Sequence, residues 1–129
     1  MIAYTSRTGN VRYILSRLQV ETIEIKPNLT LTEPFLLFTY TDGLGTVPPI
    51  AEQFMVDNAT YCKGIIVSGN RNFGHALFGR AGDILSKTYN IPLVRKLDLR
   101  GTAEDYAYIQ SYYMNIMNPF ENTARAMTY

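Results

Sequence analysis

The chain has 129 residues, 47% hydrophobic and 18% charged, with a formal net charge of +1. By length and composition this is one globular domain, which excludes a disordered chain and argues against nucleic-acid binding through bulk charge. Cys62 is the only cysteine, so no internal disulfide is possible, and no apolar run reaches the ~18 residues of a membrane-spanning helix. No basic leader precedes a hydrophobic stretch at the N-terminus, so the expectation is a cytoplasmic protein, in which the sequons at Asn28 and Asn58 are chance matches.

Hydrophobic periodicity gives an alternating order of elements. Residues 1–5 read as a strand. Val11, Ile14, Leu15 and Leu18 follow with the i, i+3, i+4, i+7 spacing of a short amphipathic helix. Residues 20–25 alternate and are β-rich, which predicts a strand with Ile23 and Ile25 inward. Residues 35–40 form an apolar run, the mark of a strand buried on both faces. Pro48 and Pro49 suit the first turn of a helix carrying Ile50, Phe54 and Met55. Residues 64–67 are another buried run. The spacing of Leu77, Ala81, Ile84 and Leu85 predicts a helix over residues 75–87, against a cost of roughly 1 kcal/mol for each of two interior glycines, Gly79 and Gly82. Residues 92–97 read as the last strand. Thr102 is an N-cap with Asp105 three residues on, opening a helix to about Met117 that buries Tyr106, Ile109, Tyr113 and Ile116. Asn118-Pro119 ends it, and residues 119–129 read as a tail beyond a domain of residues 1–118.

Five strands with intervening helices predict an α/β domain with a mainly parallel sheet and helices on both faces. The connection at residues 26–34 is too short for an ordinary helical crossover and holds two prolines, so an irregular, shortened second crossover is expected.

The carboxyl ends of parallel strands share one edge of the sheet, where ligands of open α/β folds bind. Three polar, glycine-bearing loops fall there. Ser6-Arg7-Thr8-Gly9-Asn10-Val11 follows the first strand and opens a helix, which makes it a phosphate cradle: free helix N–H groups and the hydroxyl and amide donors of Ser6, Thr8 and Asn10 suit an anion. Tyr40-Thr41-Asp42-Gly43-Leu44-Gly45-Thr46-Val47 follows the third strand, and Ser68-Gly69-Asn70-Arg71-Asn72-Phe73-Gly74 the fourth. Small residues there admit close backbone approach, and the aromatic and aliphatic side chains can cover a flat ring. A phosphate at the first loop and a planar group between the other two is the geometry of a mononucleotide, best flavin mononucleotide.

The phosphate loop resembles that of flavodoxins, which implies the strand order 2-1-3-4-5. Together with the short length, the clipped crossover, Thr39 to Gly45 followed by Val47-Pro48, and the Gly-Asn-Arg-Asn-Phe-Gly stretch at 69–74, the chain resembles the NrdI proteins over residues 1 to about 118. These are flavodoxin-like partners of class Ib ribonucleotide reductase. The resemblance implies non-covalent FMN and a flavin-reducing electron donor. It also implies delivery of superoxide, made from O2, to the small (radical) subunit for assembly of a dimanganese–tyrosyl radical cofactor. Carried onto this sequence, Ser6 to Val11 hold the phosphate, Thr41 to Gly45 run along one side of the ring, and Asn70, Phe73 and Gly74 line the other.

An ordinary flavodoxin-type electron carrier and a non-redox mononucleotide-binding module are the competing readings. The near-zero net charge and the clipped crossover favour the NrdI-type reading over the carrier. No side chain stands out as catalytic, since the flavin would carry the chemistry. His75 belongs to no metal-ligand spacing and reads as a surface or capping residue at a helix start, and Cys62 reads as a structural thiol. Asp42 is the sole acid of the two ring-facing loops, while Arg71, His75 and Arg80 lie in or near the third. A reduced, anionic flavin would therefore meet little repulsion.

Overall fold

The computed structural model describes residues 1–117, so the expected helix stop at Asn118-Pro119 and the tail over residues 119–129 lie outside the described residues. Five parallel strands form a single sheet: β1 (Ile2–Tyr4), β2 (Thr22–Glu24), β3 (Phe35–Tyr40), β4 (Cys62–Gly69) and β5 (Leu93–Asp98). Their spatial order is β2-β1-β3-β4-β5, as the phosphate loop implied. The helices are α1 (Asn10–Ser16), α2 (Pro49–Asn58), α3 (Arg80–Tyr89) and α4 (Ala103–Met117).

The period-2 alternation of a strand sorts the core into two layers. Ile2, Leu36, Phe38, Ile66 and Leu97 face one side of the sheet, where Val11 and Ile14 of α1 and Ile109 and Tyr113 of α4 pack on them. Ala3, Phe35, Leu37 and Ile65 face the other, under Phe54 and Met55 of α2 and Leu85 of α3. β3 is central, and its first five residues are buried because both layers need them. Pro49 is the first residue of α2, as expected. At α4 the amide of Thr102 donates to Asp105 Oδ2 (2.8 Å) and the amide of Asp105 donates to Thr102 Oγ1 (3.3 Å), a reciprocal cap.

Several boundaries move. α1 stops at Ser16, short of Leu18, and the second strand shrinks from residues 20–25 to β2, with Ile25 buried just beyond its end and Ile23 only half-buried. The helix expected from residue 75 begins at Arg80 instead, and residues 75–79 are turns, so His75 stands exposed ahead of the helix rather than at its start. Gly79 causes this: it takes φ +63, and a Cβ there would lie 2.7 Å from Lys96 Cδ. Ile84 is 36% exposed, and Tyr106, Ile116 and Ile50 are only half-buried, so α2, α3 and α4 lie less deep than their apolar stripes suggested.

The connection between β2 and β3 contains no helix, as its length required. One buried side chain holds it. Asn58, at the end of α2, accepts from the amide of Leu31 (2.7 Å) and donates to the carbonyls of Leu29 (3.0 Å) and Phe54 (2.9 Å). Asn58 is 1% exposed, so the second sequon is spent on structure.

Candidate functional site

Parallel pairing brings the ends of β1, β3, β4 and β5 to one rim in close register: Tyr40 lies opposite Ser68, and Gly69 opposite Asp98. The loops that leave these strands enclose a cleft of about 290 Å3, near the lower end of the range for small-molecule sites.

The first loop supplies Ser6, Arg7, Thr8, Asn10 and Val11 to the lining. Gly9, at φ +90, precedes α1 without lining the cleft, and no side chain caps the helix. The amides of Thr8, Gly9 and Asn10 donate to no backbone carbonyl among the described residues. Arg7 extends sideways: its guanidinium pairs with Asp42 and lies 5.1 Å from the centre of the Tyr40 ring, tying the first loop to the second. The charge of Asp42 is thereby offset within the rim.

From the second loop come Tyr40, Thr41 and Gly43. This loop is a tight turn in which the amides of Asp42 and Thr46 each donate to the other's carbonyl (2.8 Å) and the amide of Gly43 donates to Asp42 Oδ1 (3.0 Å). Asp42, Leu44 and Gly45 do not line the cleft. Leu44 projects outward, 73% exposed. Gly45 packs the turn against the start of α3 and the turns before it at φ +101, where a Cβ would come within 2.9 Å of Arg80 and 3.1 Å of Leu77.

The third loop contributes Ser68, Gly69, Asn70 and Phe73. A short 3-10 turn at Arg71–Phe73 is held by the amide of Asn72 donating to Asn70 Oδ1 (2.9 Å) and the amide of Arg71 donating to Asp98 Oδ1 (3.0 Å). Asn72 and Gly74 stand outside the lining, and Phe73 is 56% exposed at the mouth. Arg71 turns away from the cleft, with its guanidinium 5.0 Å from the Phe78 ring centre. His75 joins Arg71, Phe78 and Lys96 in a separate shallow groove, where Asp83 pairs with Lys96 (2.7 Å).

Two lining residues escaped the sequence reading, Leu77 and Leu99. Leu77 sits on the apolar stripe that the spacing predicts for a helix, but that helix begins three residues later, at Arg80. Leu99 follows β5, and the readable signal was the carboxyl end of a further strand on the same rim.

Two buried polar atoms have no hydrogen-bond partner among the described residues, Ser6 Oγ and Thr41 Oγ1. Both belong to residues that line the cleft. Buried hydroxyls are ordinarily paired, so these two orphans in one cleft are donors and acceptors that could serve a ligand. Cys62 lies at the start of β4, away from this rim, and burial pushes its thiol up to about 11, which makes it a structural thiol and a poor nucleophile.

A doubly wound sheet ordered 2-1-3-4-5, with a loop-lined cleft where the strand order reverses, defines a flavodoxin-like protein. The family model of NrdI flavodoxin-like proteins matches residues 2–111, and the chain belongs to that family. Membership links it to class Ib ribonucleotide reductase, and the family is typically FMN-binding. No helix among the described residues is long and apolar enough to cross a membrane.

Proposed function

We propose that the cleft binds FMN and that the reduced protein delivers superoxide to the small subunit of a class Ib ribonucleotide reductase, where it serves assembly of the dimanganese–tyrosyl radical cofactor. The observation that carries the cofactor assignment is the pair of orphan hydroxyls, Ser6 Oγ and Thr41 Oγ1, in a cleft that is also lined by the apolar side chains of Val11, Phe73, Leu77 and Leu99. Inorganic phosphate alone would leave the apolar part of the cleft without a function.

Ser6, Thr8 and Asn10 bind the phosphate with side-chain donors, aided by the loop amides and the start of α1. Gly9 gives the loop its positive φ, and Val11 walls it. Tyr40, Thr41 and Gly43 form one side of the ring site, and Ser68, Gly69, Asn70 and Phe73 form the other. Arg7 holds the first two loops together and cancels the charge of Asp42, so the rim presents little negative charge to an anionic reduced cofactor. When bound and reduced, FMN supplies the single electron that converts O2 to superoxide; the protein binds and orients it and tunes its potential. Leu44 and Phe73, both well exposed beside the cleft mouth, form an apolar rim that docks the reductase subunit. Asp42, Gly45, Asn72 and Gly74 stand outside the cleft lining and shape the loops around the ligand.

The test is radical assembly. Anaerobically reduced protein is mixed with manganese-loaded small subunit, O2 is admitted, and tyrosyl radical is counted by electron paramagnetic resonance. Radical that forms only when this chain carries FMN is the expected result. Electrons passed to a soluble acceptor, with no radical formed, would leave an ordinary flavodoxin-type carrier.

A further inference from the structure

We infer that Leu99 belongs to the cofactor site as an aliphatic wall against the flat ring, held there by a strained backbone; the inference rests on the FMN reading above. Leu99 has φ +54, a left-handed conformation that costs a branched aliphatic residue free energy and that glycine or asparagine adopts far more readily. The same turn shows the ordinary solution two residues on, where Gly101 serves φ +70. A leucine kept at the strained position therefore points to a role for its side chain.

The surrounding hydrogen bonds enforce the strain. The amide of Leu99 donates to the carbonyl of Gly69 (2.8 Å), and its carbonyl accepts from Ser68 Oγ (2.8 Å). Both partners lie at the end of β4, where the third loop starts. The next residue braces the turn from two further elements: the Arg100 guanidinium lies 4.4 Å from the ring centre of Tyr13 on α1, and its carbonyl accepts from the Tyr106 hydroxyl of α4. These bonds hold the backbone in its left-handed conformation, and from there Leu99 lines the cleft.

What the side chain does there follows from its surroundings. Leu99 lines the cleft yet remains 44% exposed, so it is not anchoring the core. It carries no group that binds phosphate, and its backbone is bonded to the third loop, on the side of the cleft that holds Phe73 and Leu77. The ligand part that covers such a surface is apolar and flat.

The experiment titrates FMN and riboflavin, by quenching of flavin fluorescence, into wild type, Leu99→Gly and Leu99→Asn. Both substitutions suit a positive φ, and circular dichroism checks that they fold. Each is expected to weaken both flavins by about tenfold, through loss of apolar contact, leaving the preference for FMN over riboflavin unchanged. Unchanged affinities, or a loss confined to FMN, would overturn the role at the ring while leaving the FMN reading in place. A wild type that binds neither flavin overturns both. Should neither variant fold, magnetisation transfer between the Leu99 methyl groups and the flavin ring protons in the wild-type complex decides the matter: its presence supports the wall and its absence overturns it.

Discussion

The crossover of residues 25–34 and the loops of the rim are both irregular backbone attached to one sheet, but their buried polar groups are treated in opposite ways. In the crossover, Asn58 meets the amide of Leu31 and the carbonyl of Leu29, and its own amide is fully engaged. On the rim, Ser6 Oγ and Thr41 Oγ1 are buried with no partner among the described residues. Irregular structure alone therefore does not mark a site. The mark is polar capacity that the fold has created, sheltered from water and left unspent.

The sharpest way to break this contrast is to open the closed side. Asn58→Leu leaves the half-buried N–H of Leu31 and carbonyl of Leu29 without their partner, which is expected to cost about 2 kcal/mol, read as a lower midpoint in urea. FMN affinity of the folded fraction is expected to stay within twofold, because Asn58 lies outside the cleft lining. A loss below about 1 kcal/mol would mean the crossover does not depend on Asn58.

Cys62, on the same closed side, gives a pH signature. Burial raises its thiol from an ordinary value of 9.0 to about 11. The folded state thus keeps the proton that the unfolded state releases, so the contribution is intact below pH 9 and is lost as pH climbs toward 11. Wild type is expected to lose about 2 kcal/mol more than Cys62→Ala over that interval. Equal losses in urea titrations at the two pH values would show that the thiol does not feel its burial.

The open side responds differently. Ser6→Ala removes an atom that has no partner among the described residues, so stability is expected to hold within about 0.5 kcal/mol. FMN affinity falls roughly fivefold to tenfold, whereas riboflavin, which lacks the phosphate, binds as before. Thr41→Val is expected to be equally silent for the apoprotein and to weaken both flavins. A Ser6→Ala protein that is clearly destabilised would show that the hydroxyl is structural, and the contrast would collapse.

The smallest effect concerns the exposed lip. Leu44→Glu leaves flavin binding unchanged and weakens the complex with the reductase small subunit by several-fold, measured by sedimentation or surface plasmon resonance. Loss of FMN with docking intact would reverse the assignments of cleft and lip.

How much of this was legible depended on whether a residue's role was local. The buried strand of residues 35–40, the proline start of α2 and the Thr102–Asp105 cap follow from spacing and side-chain chemistry over a few residues, and each appears where the sequence placed it. The three loops were readable because strand ends and turn residues coincide. Leu77 and Leu99 were not, since Leu77 falls in turns ahead of a helix that Gly79 delays to Arg80, and Leu99 is held by its long-range bonds with Ser68 and Gly69. An apolar residue on a helical period looks the same whether it serves a helix face or a ligand. The orphan state of Ser6 and Thr41 was equally invisible: the sequence shows that hydroxyls are present, but only the packing shows that no group among the described residues uses them. Asn58 read as a chance sequon, with no hint of the crossover it holds.

The most direct test of the central claim, that the rim's unspent polar groups belong to a flavin site, is the visible spectrum of the purified chain after incubation with FMN and desalting. Retained flavin bands, with the protein folded by circular dichroism, are the predicted result. A folded, colourless protein would contradict the account and leave a flavodoxin-like domain whose cleft serves a different ligand.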